Sequence, residues 1–377
     1  MNFLAPRDLL VTVTTESCPA WGELEARWRD LENRADGSFF TTWTWIGAWL
    51  ATFCGQAQAH LLIARTGEIV VGLAVIGERR AGGFLRSGVA AALNQSGEPA
   101  DDALFIEYND FLLDRRFAPQ TRAAMLRFIA ETAASRREFR LSGVTPALHR
   151  AVTESGLFHR VVRDRVCPWI DLTKVPPGLS GYLAVLSRNT RRQIQQSLRL
   201  YEAEGKVQLT PARTAADAEI MLDEMHTLHR KSWRDRQGHE GAFGSSRFMR
   251  FARHLAAKGT AHGSVQLMRV SSGPNPIGYL LNFIHRGQIY AYQSGFSFRD
   301  DNRFRPGLVT HALAVVQARE QGCRGYHFMA GEGRYKASLA NTDEHLFWMT
   351  LRQGDFISRA EDSVHALKDR LRALLRR

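Results

Sequence analysis

Five stretches decide the reading of this chain. They are Gln288–Phe296 (QIYAYQSGF), Arg299–Gly307 (RDDNRFRPG), Leu308–Gly322 (LVTHALAVVQAREQG), Cys323–Met329 (CRGYHFM) and Ala330–Lys336 (AGEGRYK). In order they read as a strand, a basic Pro-Gly turn, a helix, a second strand and a Gly-Tyr-Lys loop. A helix that opens soon after a strand, with Arg303, Arg305 and Gly307 at its mouth, is an anion site in waiting. Its first backbone N–H groups have no intrahelical acceptor and its dipole is positive there, which suits a pyrophosphate.

Outward from this block, 377 residues are too many for one ordinary core and imply two domains, placed at 1–172 and 173–377. The boundary falls near Pro168 and the Pro176-Pro177-Gly178 turn. Apolar residues at 44% and charged residues at 23% fit a globular chain. No apolar run reaches the roughly 20 residues of a membrane helix, and the N-terminus carries no secretory pattern. Four scattered cysteines without a CxxC pair or His partner fit reduced thiols in a cytoplasmic protein, not zinc or disulfides. A net charge of +12 implies an anionic partner: nucleic acid, a membrane surface or a polyphosphate cofactor. The arginines are dispersed, so a nucleic-acid arm is not expected.

The N-terminal half reads as a mixed α/β unit. A strand at Leu9–Thr15, a helix at about Ala20–Arg34 and a Trp-rich helix capped by Thr41 or Thr42 come first. A hairpin through Thr66-Gly67, a helix at about Pro119–Ser135 and a strand at Phe139–Gly143 follow. The second half places helices at Gly181–Glu204, Ala215–Arg236 and Ser246–Lys258 before three strands and the deciding block. Each half thus repeats helices, a β-meander and a helix between strands.

Amide formation from a thioester needs a clamp for the donor's pyrophosphate, N–H donors for the developing oxyanion and a base for the amine. The block supplies the layout: a clamp at Arg303, Arg305 and Gly307, and N–H donors at the end of QIYAYQSGF, around Tyr292, Gln293 and Ser294. An ordinary βαβ crossover with solvated arginines is the alternative. SGFSFRDDNRFRPGLVTHALAVVQAREQGC and YHFMAGEGRYK resemble the C-terminal signature of the CelD/BcsL-like acyltransferases, GNAT-superfamily proteins related to the FemAB peptidyltransferases. SRNTRRQIQQSLRLYEAEG, LHRKSW with GAF, FTTWTWIGAWLATF and NDFLLD extend the resemblance over about Phe39 to Leu351. It implies an α/β (α+β) fold of two GNAT-like domains, acyl-CoA as co-substrate and an amine acceptor, an amino sugar or a long-chain lipid amine. His327-Phe328 stands where the family commonly has Asp-Phe, and Leu339 replaces a frequent aromatic.

Several side chains are candidates for chemistry. His229 in LHRKSW is a candidate general base, or a half-buried histidine packed on Trp233. Tyr335 is a proton donor to the leaving thiolate, Glu332 a proton acceptor through water and Lys336 a holder of a phosphate or substrate oxygen. The alternative for these three is a solvated turn. Tyr292 and Ser294 are expected on one strand face and Gln293 on the other. Arg188 and Arg191 open a helix that binds phosphate or acceptor, or is merely solvated, and Trp233 and Asp110 are assigned to the acceptor. No metal is expected, since His226 and His229 have no third ligand nearby. The basic helix AEDSVHALKDRLRALLRR docks on the body or touches an anionic membrane face. Two other functions stay open: aminoacyl transfer from charged tRNA, and a non-catalytic anion or nucleic-acid binder.

Overall fold

The computed structural model describes residues 10–53, 58–81, 88–98, 106–132, 136–238, 240–331 and 333–352. Glu332 and the expected C-terminal helix lie outside the described residues. The chain forms two compact units. One takes Phe53–Asp164 with the chain up to Ile46 and from Leu346 on; the other takes Arg165–His345 with Gly47–Thr52.

The elements of the first half, in order, are β1 (Thr12–Ser17), α1 (Trp21–Arg34), α2 (Trp43–Phe53), β2 (Gln58–Thr66), β3 (Ile69–Ala81), β4 (Gly88–Leu93), β5 (Leu112–Leu113), α3 (Ala118–Thr132), β6 (Arg136–Val144), α4 (Pro146–Glu154) and β7 (His159–Asp171). In the first unit β1, β2, β3 and β4 pair antiparallel in sequence, and β4 then pairs parallel with β6 across the α3 crossover. The apolar residues of β2, β3, β6 and α3, among them Leu62, Val71, Met125, Ile129 and Phe139, make its core. Tryptophan positions read as helical close the α1 side: Trp28 is fully buried and its indole N–H reaches the Thr41 carbonyl at 2.8 Å. A buried indole donor left unpaired would be costly, so this bond fixes the α1–α2 connection.

The second half continues with α5 (Gly178–Val185), α6 (Arg188–Glu202), β8 (Val207–Pro211), α7 (Ala215–Gln237), α8 (Ser246–Gly259), β9 (Val265–Ser272), β10 (Asn275–His285), β11 (Gln288–Phe296), α9 (Pro306–Glu320), β12 (Gly325–His327), α10 (Arg334–Leu339) and β13 (Thr342–Leu351). The second unit repeats the plan: β8, β9, β10 and β11 are antiparallel, and β11 pairs parallel with β12 across the α9 crossover. The C-terminal end of β7 then closes on β12. Leu280, Ile289, Val309, Val315 and Tyr326 sit at the centre of its core.

Two expectations are corrected. The helix expected over Gly181–Glu204 is two, because Ser187 caps a fresh start by accepting the Thr190 N–H at 3.2 Å. The Gly-Tyr-Lys loop winds into the single turn and a half of α10. Among the described residues, no helix is long and apolar enough to cross a membrane.

Candidate active site

Strand β11 organises the second unit's site. Its ladder to β12 ends at Tyr290↔His327, yet β11 runs on to Phe296, so the two strands part and an edge of β11 opens. Opposite, the β10 register steps from Asn282↔Ala291 to Leu281↔Gln293, leaving Tyr292 as an extra residue. This bulge changes the expected alternation. Tyr292 packs on Phe283 (4.8 Å between rings) and Phe248, while a Cβ on Gly295 would strike the Met225 carbonyl of α7 at 2.5 Å. Both therefore face the α7–α8 layer although three residues apart. Ser294, next to Gly295, points its side chain to the other face from Tyr292, and the expected pairing of the two is overturned.

The carbonyl of Ser294 accepts a hydrogen bond from His229 Nδ1 at 2.7 Å. A ring nitrogen facing a carbonyl must carry the proton, so Nε2 holds the bare lone pair. Nε2 is buried without a hydrogen-bond partner, and the residue is 4% exposed. Burial is the main reason the imidazole pKa falls to about 4, outweighing the Ser294 bond that would raise it; His226 lowers it further. The ring lies between Trp233 (5.5 Å, stacked) and Phe243 (4.8 Å, edge-on). Gly241, with φ +66°, passes over it so closely that a Cβ there would lie 2.6 Å from Nε2. Glu240 beside it takes ion pairs from Arg230 and from Arg234 (2.5 Å).

Helix α7 brings these groups together because His226, His229, Arg230, Trp233 and Arg234 recur at helical spacing. Thr214 and Asp217 fix its start by a reciprocal capping box, and left-handed Gly238 ends it.

The mouth of α9 is a reduced version of the expected clamp. Arg305 is the N-cap residue and Pro306 follows it, so one position lacks an N–H altogether. The Arg305 N–H itself is taken by Ser197 Oγ at 2.8 Å, and Arg303 is folded onto Asp301. What remains is the N–H of Gly307 and Leu308, which have no intrahelical acceptor, and the exposed Arg305 guanidinium. Phe304 is fixed behind it against Tyr201 and under Arg299, which pairs with Glu204.

In α10, the Tyr335 ring stacks on buried His311 of α9 at 5.6 Å, and His311 also meets Phe296 and Phe328. Burial pushes the Tyr335 phenol up to about 12. The Lys336 ammonium donates to the carbonyls of Met329 (3.2 Å) and Ala330 (2.9 Å), holding a turn in which Met329 has φ +64°.

Other sequence candidates lie elsewhere. Asp110, in the first unit, receives Arg122 on both oxygens, the Thr145 hydroxyl and the Phe111 N–H. Arg191 donates to the Ala184 and Leu186 carbonyls at the end of α5. Arg188 is exposed nine residues before Ser197, about 14 Å along α6. His327 occupies the site of the family's common aspartate, but a carboxylate returns from Glu344, 3.2 Å from Nδ1. Sequence reading passed over Ser197, Glu240, Gly241 and His311. Ser197, Gly241 and His311 lie inside stretches quoted for the resemblance but were given no role there; Glu240 carries no motif.

Residues 188–337 match the family described as acetyltransferase (GNAT) domain. No curated protein matches the chain by sequence. The fold is similar to that of FemX, at 11% identity and a TM-score of 0.57 over 89% of this chain and 96% of that one. It is also similar to the C-terminal domain of a putative lysylphosphatidylglycerol synthetase from Agrobacterium fabrum (14%, 0.55, 93% and 96%). L-PGS from Bacillus licheniformis is a third likeness (10%, 0.53, 93% and 98%). The chain thus carries an acetyltransferase (GNAT) domain over residues 188–337 and is an enzyme of the acyltransferase class.

Proposed function

We propose that the second unit transfers an acyl group from acyl-CoA to an amine by direct attack, in the manner of the CelD/BcsL-like enzymes it resembles. The observation that carries this is the His229–Ser294 bond, which leaves a neutral imidazole with a bare Nε2 beside the opened edge of β11. The N–H groups of Gly307 and Leu308 with the Arg305 side chain would hold the donor's pyrophosphate. N–H groups on the open edge of β11 would meet the oxyanion as the amine adds to the thioester carbon. His229 Nε2 would take the proton from the tetrahedral adduct, whose nitrogen is far more acidic than a free ammonium. The Tyr335 phenol, at about 12, holds its proton against a thiolate whose own value is near 8.5, so it would donate a hydrogen bond to the leaving sulfur and not the proton itself. Amino sugars and long-chain lipid amines are the acceptors the resemblance favours, in the cytoplasm.

No cysteine is set up as a nucleophile in this scheme: burial raises the Cys323 thiol, the opposite of activation. The test follows thiol release from acetyl-CoA with a panel of amines, using wild type and a chain with all four cysteines replaced. Retained amine-dependent release supports direct attack, and near-total loss points to an acyl-enzyme. A second reading replaces acyl-CoA by a charged tRNA, and the fold shared with FemX favours it. Amine acylation with tRNA and none with CoA esters would establish it.

A further inference from the structure

In this conformation the base is closed off. His229 Nε2 is capped by Gly241, and Gly241 lies between two attachments of its segment to α7: the ion pairs of Glu240 and the buried Phe243 ring, which packs on His226 and His229. Both guanidiniums converge on one oxygen of that carboxylate, Oε1. Arg230 Nε remains buried without a hydrogen-bond partner, so the pair offers more donors than Glu240 uses. Two guanidiniums at i, i+4 with spare N–H groups match the acceptor geometry of a phosphate or a carboxylate. The ion pairs are half-exposed, with side-chain exposures of 34% for Glu240 and 37% and 61% for the arginines. Such pairs exchange readily, because water competes for each partner. Glycines at 238 and 241, both with positive φ, and at 244 give the segment backbone freedom on either side of Glu240.

We propose that Arg230 and Arg234 form an oxyanion site occupied in cis by Glu240, and that the acceptor is an amine bearing its own phosphate or carboxylate. When that group replaces Glu240, the stretch Glu240–Gly241 swings away about the Phe243 anchor, which stays packed on His226 and His229, and Gly241 leaves His229 Nε2 open to the amine. The inference rests on the reading of His229 as the base, and it narrows the acceptor to anionic amines. Water reaching the imidazole would also move its titration back toward the ordinary range, where a general base works best.

The test is the rate at which diethyl pyrocarbonate modifies His229 in the full chain at neutral pH, read by mass spectrometry. Half-buried His226, on the same helix, is the internal reference. The expected result is a His229-to-His226 ratio at least about fivefold higher in Glu240→Gln. Inorganic phosphate or O-phosphoethanolamine, at matched ionic strength in chloride, should raise the ratio in wild type and not in Arg234→Gln. A larger rise with phosphatidylglycerol vesicles than with phosphatidylcholine vesicles or soluble phosphate would assign the oxyanion to a lipid headgroup. A rise with the soluble probes alone would assign it to a small molecule. Equal labelling in wild type and Glu240→Gln, or no response to any oxyanion, would overturn the proposal and leave Glu240 as a surface ion pair. Labelling needs no turnover, so these results stand apart from the acyl-transfer reading, which would fail if His229→Gln kept full activity.

Discussion

His229 Nδ1 and the carbonyl oxygen of Ser294 lie 2.7 Å apart, joining the helix that carries the proposed base to the strand whose edge is open. The bond sets the tautomer, so Nε2 alone is basic. Replacing His229 by Gln keeps a side-chain amide near that carbonyl but removes the proton acceptor. The expected loss is about 10²–10⁴ in kcat with the donor KM little changed. In wild type the acid limb of kcat/KM should fall as pH drops toward about 4, and not near the ordinary histidine value, because the free enzyme's base protonates only there.

Gly241→Ala adds a methyl group 2.6 Å from Nε2 and 3.0 Å from the Trp233 ring, at a φ of +66°. Backbone strain together with the overlap on both rings is expected to cost about 2–4 kcal/mol, seen as a clear drop in melting temperature. Because the methyl group does not fit while Gly241 is closed over Nε2, diethyl pyrocarbonate should modify His229 faster in this variant than in wild type.

Arg305→Ala should raise the KM for acetyl-CoA about tenfold or more, the worth of a hydrogen bond to a charged group. The same variant should behave like wild type with acetyl-pantetheine, which lacks the pyrophosphate. An equal effect on both donors would place Arg305 elsewhere in the reaction.

Two buried histidines make the second unit acid-sensitive. Burial is the leading cause in both: the pKa of His229 falls to about 4 and that of His311 to about 3, the latter also repelled by Lys336. Each binds a proton more readily unfolded, near 6.5, than folded. Their contribution is therefore fully present above about pH 6.5 and is lost as pH falls toward 4 and 3. The slope is at most about 1.4 kcal/mol per pH unit for each. Urea unfolding of His311→Gln between pH 4.5 and 7 should show a shallower loss than wild type.

Much of this fold was legible in sequence because its signals are local. The Trp21, Leu24, Trp28 and Leu31 spacing gave α1, and the Arg303-Pro306-Gly307 turn gave the start of α9. The break at Ser187 was missed although apolar residues stop at Leu186 and resume only at Ile194; the cap itself shows in the hydroxyl of Ser187 accepting the Thr190 N–H. The bulge at Tyr292 could not be read, since it exists only against β10, and it reverses the face of Ser294. The clamp was over-read for a similar reason: Asp301 takes Arg303 locally, and Ser197, about a hundred residues away, takes the Arg305 N–H. Asp110 looked like an acceptor ligand because its partners Arg122 and Thr145 are distant in sequence.

The most direct measurement is a thermal-shift series with CoA, acetyl-CoA, palmitoyl-CoA and charged or uncharged tRNA. A ligand at about 100 times its Kd adds roughly 2.7 kcal/mol of stability, enough to move the melting point visibly. Stabilisation by CoA esters that is lost in Arg305→Ala is the predicted result. No response to any CoA compound, with a shift on charged tRNA, would contradict the account.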